Sequence, residues 1–199
     1  MEKHIKTIGI DMGSSKCMLV ADDAEIILTS TGSISRPTMV SFFGKSRLMG
    51  EEAAPQVMSE NTLSCLNLLV GTSLRDLQDK AFFKHLRTKF TEDDRGRVSA
   101  IVSYCDKEEP FSTTAVLAVF ISHLYKRIIN VSGEDIRLSF CLPPEYPTSL
   151  HRAFIDACAV ANIPPNQVSI ANEDDALAAC YMRKISGIRP LDRYYYTQL

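Results

Sequence analysis

An excess of charge, a long apolar run and an N-terminal leader pattern are all missing from this 199-residue sequence. The formal net charge of -2 provides no basic field for nucleic acid. No segment approaches the roughly 18 apolar residues that span a membrane. The charged N-terminus passes directly into a short predicted strand, without the apolar core of a signal peptide. We therefore expect a cytoplasmic protein, and its 45% apolar and 23% charged residues are typical of a globular fold.

The cysteines and histidines do not form the pairs that bind zinc or build a disulfide framework. The six cysteines are Cys17, Cys65, Cys105, Cys141, Cys158 and Cys180. No two of them form a C-x-x-C pair, and the four histidines are isolated as well. We therefore expect neither a zinc site nor a disulfide framework. Several of the cysteines lie in apolar runs, where a free thiol behaves as a small buried hydrophobe.

The sequence also lacks the Gly-x-x-x-x-Gly-Lys loop that binds phosphate in front of a helix. Asp11-Met-Gly-Ser-Ser-Lys16 instead joins two short apolar strands. A tight turn here would place a carboxylate beside small residues with uncovered N–H groups. Such amides can bind phosphate, while the carboxylate can hold Mg²⁺ through water. An ordinary hairpin turn rich in Gly and Ser explains the same residues, so the turn alone does not decide between the two interpretations.

The first half of the chain is rich in predicted strands. Apolar runs predict strands over residues 5–11, 16–21, 24–30 and 38–43, with Pro37 at a strand entrance or edge. Mixed-charge segments predict helices over 61–71 and 75–90, and a further strand over 97–105 is followed by an exit turn over 106–110. Closely spaced strands with short turns indicate antiparallel hairpins.

The second half alternates between helices and strands. Capping residues and apolar spacing predict helices from Ser112 or Thr113 to Asn130, from Thr148 or Ser149 to Asn162, and from Asp174 or Asp175 to Lys184. The strands between them are predicted over 136–142 and 168–171. This alternation implies a sheet covered by helices and extended by the antiparallel strands of the first half. The predicted fold class is therefore α/β.

Seven short motifs follow one another along the chain. They are Ile8-Gly-Ile-Asp-Met-Gly-Ser-Ser15, Arg36-Pro-Thr-Met-Val-Ser-Phe42, Arg47-Leu-Met-Gly-Glu-Glu-Ala53, Asn61-Thr-Leu63 through Leu69-Val-Gly71, Phe111-Ser112, Leu142-Pro143 with Ser149 and Asp156-Ala157, and Ile170-Ala-Asn-Glu-Asp-Asp-Ala-Leu-Ala-Ala179. In this order they resemble the N-terminal ATPase lobe of the seventy-kilodalton heat-shock chaperones and their 110-kilodalton relatives. The resemblance assigns residues 1–182 to lobe I and leaves 183–199 as a divergent C-terminal tail. It implies an actin-like, ribonuclease-H-like lobe with a mixed five-stranded sheet flanked by helices.

The resemblance also implies a site for ATP or ADP with Mg²⁺. Asp11 would lie near the metal and the phosphates, and Gly13, Ser14 and Ser15 would contact the β- and γ-phosphates. Glu173 matches the acidic residue that helps to organise the metal and the attacking water, so Asp11 and Glu173 are the candidate catalytic residues. Without the resemblance, Glu173 is explained as a carboxylate at a helix N-terminus. The implied partners are co-chaperones and unfolded client proteins.

Two departures from the family pattern concern charge. The family lysine that neutralises developing charge on the phosphate is replaced by Asn67, which carries no net charge. Lys16 is a possible substitute, but it belongs to the following strand. The family proline after Asn-Glu is replaced by Asp174, which adds a negative charge near the site.

A third departure concerns length. The second phosphate loop, D-L-G-G-G-T, the adenosine-binding segment and the peptide-binding domain do not occur in these 199 residues. We therefore expect a chaperone-type ATPase lobe that is weak or inactive by itself. The alternative is a non-catalytic interaction module that binds a co-chaperone or partner subunit. A relationship to actin or the sugar kinases is more distant, because the Leu142-Pro143 and Asn172-Glu173 segments argue against it.

Overall fold

The computed structural model describes residues 6–22, 24–132, 136–143 and 146–186. The strands are β1 (Lys6–Met12), β2 (Lys16–Ala21), β3 (Arg36–Pro37), β4 (Met39–Phe43), β5 (Ser46–Met49), β6 (Thr62–Ser64), β7 (Lys89–Glu92), β8 (Val98–Tyr104), β9 (Lys107–Ser112), β10 (Ile136–Leu142) and β11 (Val168–Asn172). The α-helices are α1 (Leu66–Leu69), α2 (Leu74–Gln78), α3 (Thr113–Ser132), α4 (Thr148–Val160) and α5 (Glu173–Ser186). Short 3-10 helices cover Gly50–Glu52, Ala54–Gln56, Ala81–His85 and Pro165–Gln167.

A five-stranded mixed sheet, in the order β11-β10-β1-β2-β3, forms the centre of the fold. β1 runs parallel to β10, and β10 runs parallel to β11. β2 pairs antiparallel with both β1 and β3. The predicted α/β class, with a mixed five-stranded sheet and antiparallel strands from the first half, is confirmed.

The two faces of this sheet differ in polarity because side chains alternate along each strand. Ile8, Ile10 and Met12 of β1 are buried, whereas Thr7 and Gly9 are partly exposed and Asp11 is exposed. The apolar face joins the buried side chains of α3 and α4 in one core, and these two helices also pack against each other. α5 contacts β10 and β11.

Two smaller antiparallel sheets complete the described part of the chain, in the orders β5-β4-β6 and β7-β8-β9. Phe42 of β4 joins them, because its ring packs against those of Tyr104 and Phe111 at centroid distances of 5.6 and 4.9 Å. Such aromatic contacts add to the stability of the junction beyond simple burial.

The second-half elements follow the sequence prediction closely. The Ser112 hydroxyl accepts a hydrogen bond from the Ala115 amide at 3.1 Å, which confirms the predicted cap of α3. By length and composition alone, the Thr113–Val131 span of α3 could cross a membrane. The expectation that no segment is apolar enough is therefore wrong for this helix. Its buried Leu117, Phe120 and Leu124 belong to the core.

Four first-half predictions are wrong. The predicted strand over 24–30 makes only one isolated bridge, between Ile26 and Val20. The segment predicted as a helix over 61–71 contains the strand β6 and then the single helical turn of α1. The predicted helix over 75–90 is α2, a 3-10 helix and the start of β7. The predicted exit turn over 106–110 lies largely in β9. Most of the predicted tail, beyond Ser186, lies outside the described residues.

Candidate functional site

Asp11 lies at the carboxyl end of β1, where the three parallel strands end together. Its register partner on β10 is Cys141, and the partner of Cys141 on β11 is Ala171. Glu173 follows β11 directly and opens α5. Parallel pairing therefore brings Asp11 and Glu173, which are 162 positions apart in the numbering of the chain, to one edge of the sheet.

The β1–β2 turn follows Asp11 immediately. Met12 pairs with Cys17, and a Cβ atom added to Gly13 would lie 2.7 Å from the Lys16 carbonyl oxygen. Glycine is therefore required for this turn to close without a shift of the backbone. The Ser15 carbonyl accepts a hydrogen bond from the Thr38 amide at 2.9 Å, which holds the turn against the residue after β3.

Ser14 and Ser15 keep their donors unused within the described part of the chain. Neither the backbone amides nor the hydroxyl groups of these two serines make a hydrogen bond to another described residue. Ser14 is half-buried and Ser15 is exposed, so both can reach a bound group. Successive uncovered N–H groups form a concave donor surface for an anion.

Glu173 is exposed at the first position of α5 and is followed by the exposed Asp174 and Asp175. Three carboxylates in the first turn are stabilised by the positive end of the helix dipole. Together with Asp11 they make this edge of the sheet acidic. A phosphate chain would be repelled here unless a cation accompanied it.

Cys141 is the site residue that sequence reasoning missed. Burial raises the pKa of its thiol, and the carboxylates of Asp11 and Glu173 raise it further. Both carboxylates are therefore close enough to act on this thiol, and the strand that carries it, β10, lies between β1 and β11 in the sheet. Its neighbours Leu142 and Pro143 carry the recognisable motif, whereas a single cysteine in a strand carries no signal. Register between the parallel strands is what identifies it.

Asn67, at the position of the family lysine, is fully buried with 0% of its surface exposed. Its Nδ2 atom donates a hydrogen bond to the Met12 carbonyl oxygen at 2.9 Å. Its own backbone carbonyl oxygen accepts a hydrogen bond from the Tyr146 hydroxyl. Asn67 thus ties the residue between Asp11 and Gly13 to the approach of α4, and it presents no charge to the site. Lys16, the possible substitute, has an exposed side chain on β2.

The Ser14 and Ser15 donors and the Asp11 carboxylate fit a phosphate group and a hydrated Mg²⁺. Asn67, at the position of the family lysine, cannot neutralise charge on the phosphate. The free amides and hydroxyls of Ser14 and Ser15 suit phosphate oxygens, and the exposed Asp11 carboxylate suits a metal through water. Among the described residues, no group of three or more His, Cys, Asp or Glu side chains could hold a metal ion. The metal would therefore depend on Asp11, water and the phosphates themselves.

Comparison with known proteins identifies the family of this chain. The family model for Hsp70 protein matches residues 7–186. The chain belongs to the Hsp70 family. The match runs from β1 through α5 and confirms the resemblance derived from the seven motifs.

Curated relatives of the chain include heat-shock proteins from fungi, a plant and a slime mould. Heat shock protein hsp88 of Neurospora crassa is 27% identical over 196 residues, which cover 94% of this chain and 26% of that protein. Heat shock 70 kDa protein 16 of Arabidopsis thaliana is 27% identical over 169 residues, or 81% of this chain and 22% of that protein. Heat shock protein 88 of Dictyostelium discoideum is 25% identical over 182 residues, with 87% and 23% covered. The chain therefore spans about a quarter of the length of these relatives.

Proposed function

We propose that this chain is the nucleotide-binding lobe of a heat-shock-type chaperone and that its β1–β2 turn binds the phosphates of ATP or ADP. One observation carries the proposal: the unused donors of Ser14 and Ser15 lie directly after Asp11 at the carboxyl edge of the sheet. Gly13 closes the turn and so keeps these donors together. In the family, such a lobe contributes ATP binding and hydrolysis to protein folding.

Mg²⁺ is part of the proposal because the edge is acidic. Asp11 would hold the ion through water, and the ion would offset the charge of the phosphates. Glu173 would orient a water molecule for attack on the terminal phosphate. Because Asp11 and Glu173 repel free ATP, nucleotide binding should require Mg²⁺.

Hydrolysis by this chain should be weak. Asn67 replaces a lysine and is buried against Met12, so no cation at this position neutralises developing charge on the phosphate. The same observation favours a second candidate, a non-catalytic module that binds a co-chaperone or partner subunit. The proposal extends to the protein in which this lobe functions. That protein would be a chaperone in the cytoplasm, with ATPase activity, co-chaperones and unfolded client proteins.

Calorimetry with ATP in the presence and absence of Mg²⁺, together with phosphate release, tests the proposal. Gly13→Ala should weaken Mg-ATP binding by about tenfold or more, because the added Cβ would displace the turn. Gly9→Ala on the preceding strand β1 is the matched control, since its Cβ would meet the Val20 carbonyl oxygen at an ordinary 3.7 Å. Asp11→Asn should reduce the dependence on Mg²⁺.

The outcomes separate the two candidates. Mg-ATP binding that Gly13→Ala abolishes, with slow phosphate release, supports a nucleotide-binding lobe. No binding at millimolar Mg-ATP supports the interaction module. Binding that survives Gly13→Ala unchanged would place the nucleotide elsewhere and refute the role of the turn.

A further inference from the structure

A cavity of about 320 Å³ lies between α3, β3 and the 3-10 helix Gly50–Glu52. Six ionisable side chains line it: Arg36, Glu51, Glu52, His123, Lys126 and Arg127. None of them belongs to the β1–β2 turn or to the acidic edge that carries Glu173. The volume is at the lower end of the range found for small-molecule sites.

Two guanidinium groups are held in place at this cavity by consecutive carbonyl groups. The Nη2 atom of Arg36 donates to the Ile27 carbonyl oxygen at 3.2 Å. The Nη2 atom of Arg127 donates to the Leu28 carbonyl oxygen at 2.8 Å. Each side chain thus has a fixed position before any ligand arrives, which lowers the entropy lost on binding.

The same two side chains carry polar atoms without partners. The Nε atoms of both Arg36 and Arg127 are buried and make no hydrogen bond to a described residue. Arg36 as a whole is only 2% exposed. A buried donor without an acceptor is costly, so a bound group that accepts these hydrogen bonds would stabilise the protein.

The neighbouring carboxylates do not neutralise the guanidinium groups by direct contact. Within the described part of the chain, no carboxylate oxygen lies within 4.0 Å of Arg36 or Arg127. Instead, the Oε1 atom of Glu51 is itself buried without a partner. The residues that line the cavity therefore include two unused cationic donors and one unused anionic acceptor.

The net charge of the lining favours an anion. Arg36, Lys126 and Arg127 outnumber the carboxylates of Glu51 and Glu52 by one. Burial lowers the pKa of His123, which keeps this imidazole neutral near pH 7. Paired guanidinium groups match the geometry of phosphate oxygens, and a lone carboxylate oxygen suits a hydroxyl donor.

We infer that this cavity binds a small phosphate monoester that carries a hydroxyl group. Arg36 and Arg127 donate their free Nε–H groups to the phosphate, and Glu51 accepts from the hydroxyl. The cavity is separate from the proposed nucleotide site, since it shares no lining residue with the β1–β2 turn.

Titration with inorganic phosphate and with glycerol 3-phosphate tests this inference, followed by NMR of the arginine Nε–H groups. Both Nε–H signals should shift on addition of either probe. Glycerol 3-phosphate should bind about tenfold more tightly, because only this probe carries alcohol hydroxyl groups on a chain that extends beyond the phosphate. Arg127→Met should weaken binding of both probes by about tenfold or more, while Glu51→Gln should tighten binding of inorganic phosphate by removing a negative charge.

Two controls make the result specific. Lys107→Met removes an exposed cation from β9 and should leave both affinities unchanged. Gly13→Ala should also leave them unchanged, which distinguishes this cavity from the β1–β2 turn. Arg127→Met is the main variant because loss of the almost fully buried Arg36 could prevent folding.

The inference is overturned by any of three results. One is the absence of Nε–H shifts with tens of millimolar glycerol 3-phosphate. Another is equal affinity for the two probes, which would mean an unspecific anion site. The last is weakening by Gly13→Ala as strong as that by Arg127→Met, which would locate the phosphate at the β1–β2 turn.

Discussion

The side-chain amide of Asn67 donates a hydrogen bond to the Met12 carbonyl oxygen, across 55 positions of sequence, at 2.9 Å. Met12 lies between the candidate metal-binding carboxylate of Asp11 and the glycine that closes the turn. The family lysine position therefore has a structural role in this chain. Asn67 stabilises the backbone that leads into the turn through this hydrogen bond, and it adds no charge to the candidate site.

Asn67→Ala should lower the free energy of unfolding by about 1–3 kcal/mol, because the Met12 carbonyl oxygen loses its donor in a buried site. Urea unfolding followed by circular dichroism measures the change. Asn166→Ala is the control, since this asparagine is exposed in a short 3-10 helix. Equal, small effects of both substitutions would show that the bond to Met12 does not stabilise the fold.

Gly71 is constrained both by its backbone and by its neighbour. Its φ angle is +70°, and an added Cβ would lie 2.7 Å from the Cβ atom of Ala153 on α4. Gly32 has a φ angle of +80° but would meet nothing within 4 Å. Gly32→Ala should therefore cost about 1–2 kcal/mol from backbone strain alone, and Gly71→Ala about 1–3 kcal/mol more.

A double-mutant cycle isolates the contact between Gly71 and Ala153. Ala153→Gly alone should destabilise α4 by about 1 kcal/mol. In the Gly71→Ala background the same change should restore stability, because it removes the atom that the new Cβ meets. Simple additivity of the two substitutions in urea unfolding would contradict the predicted contact.

Buried thiols make the stability depend on alkaline pH. Burial raises the pKa of Cys158 from 9.0 to about 12. The folded state thus retains a proton that the unfolded state releases, so this contribution is complete below pH 9 and is lost as the pH rises toward 12. Between these values the free energy of unfolding should fall by about 1.4 kcal/mol per pH unit for this thiol. Cys158→Ala should reduce the slope by that amount in urea unfolding at pH 9, 10 and 11, and identical slopes would refute the prediction.

The exposed side of α5 should make this chain associate with itself. Leu177, Tyr181 and Ile185 follow one another at helical spacing and are 71%, 64% and 68% exposed. A contiguous apolar stripe of this kind favours association in water. Leu177→Glu should lower the weight-average mass in sedimentation, whereas Met58→Glu, at an exposed residue outside α5, should not. Identical sedimentation of all three proteins would show that the stripe is not responsible.

The predicted exit turn over 106–110 is wrong because the turn itself is shorter and lies one step earlier in the chain. Residues 106–110 were expected to be a turn because they contain four charged residues and a proline. Instead, Cys105 and Asp106 both adopt positive φ angles, 55° and 64°, and form the turn themselves. Lys107 then pairs with Tyr104, and Pro110 lies on an edge strand, where its missing N–H is tolerated.

Two further segments were misassigned because their partners lie far away in sequence. Thr62–Ser64 became a strand by pairing with β4, and the left-handed conformation of Cys65, with φ of 55°, separates it from α1. The predicted strand over 24–30 has no continuous partner, and Ala24 bends the chain with φ of 67°. Local apolar spacing does not report either the presence or the absence of a partner strand.

The candidate site was predicted in its components rather than in its arrangement. Asp11, Gly13, Ser14, Ser15 and Glu173 were all named from motifs. Their assignment to a nucleotide site remains a prediction, and the structure adds that the turn and both carboxylates share one sheet edge. The place of Cys141 between the carboxylates depends on strand register. The positions of Arg36 and Arg127 depend on hydrogen bonds to the carbonyl groups of Ile27 and Leu28, which no sequence pattern predicts.

By itself, the sequence determined the family, the α/β class and the alternating second half, because helix periodicity, caps and short motifs are local properties. Tertiary structure decided which first-half segments form strands or helices. It also decided that Asn67 is buried and that Arg36 and Arg127 line the same cavity. These features arise from contacts between residues distant in sequence, whose free energy is set by burial and by hydrogen-bond partners that exist only once the chain has folded.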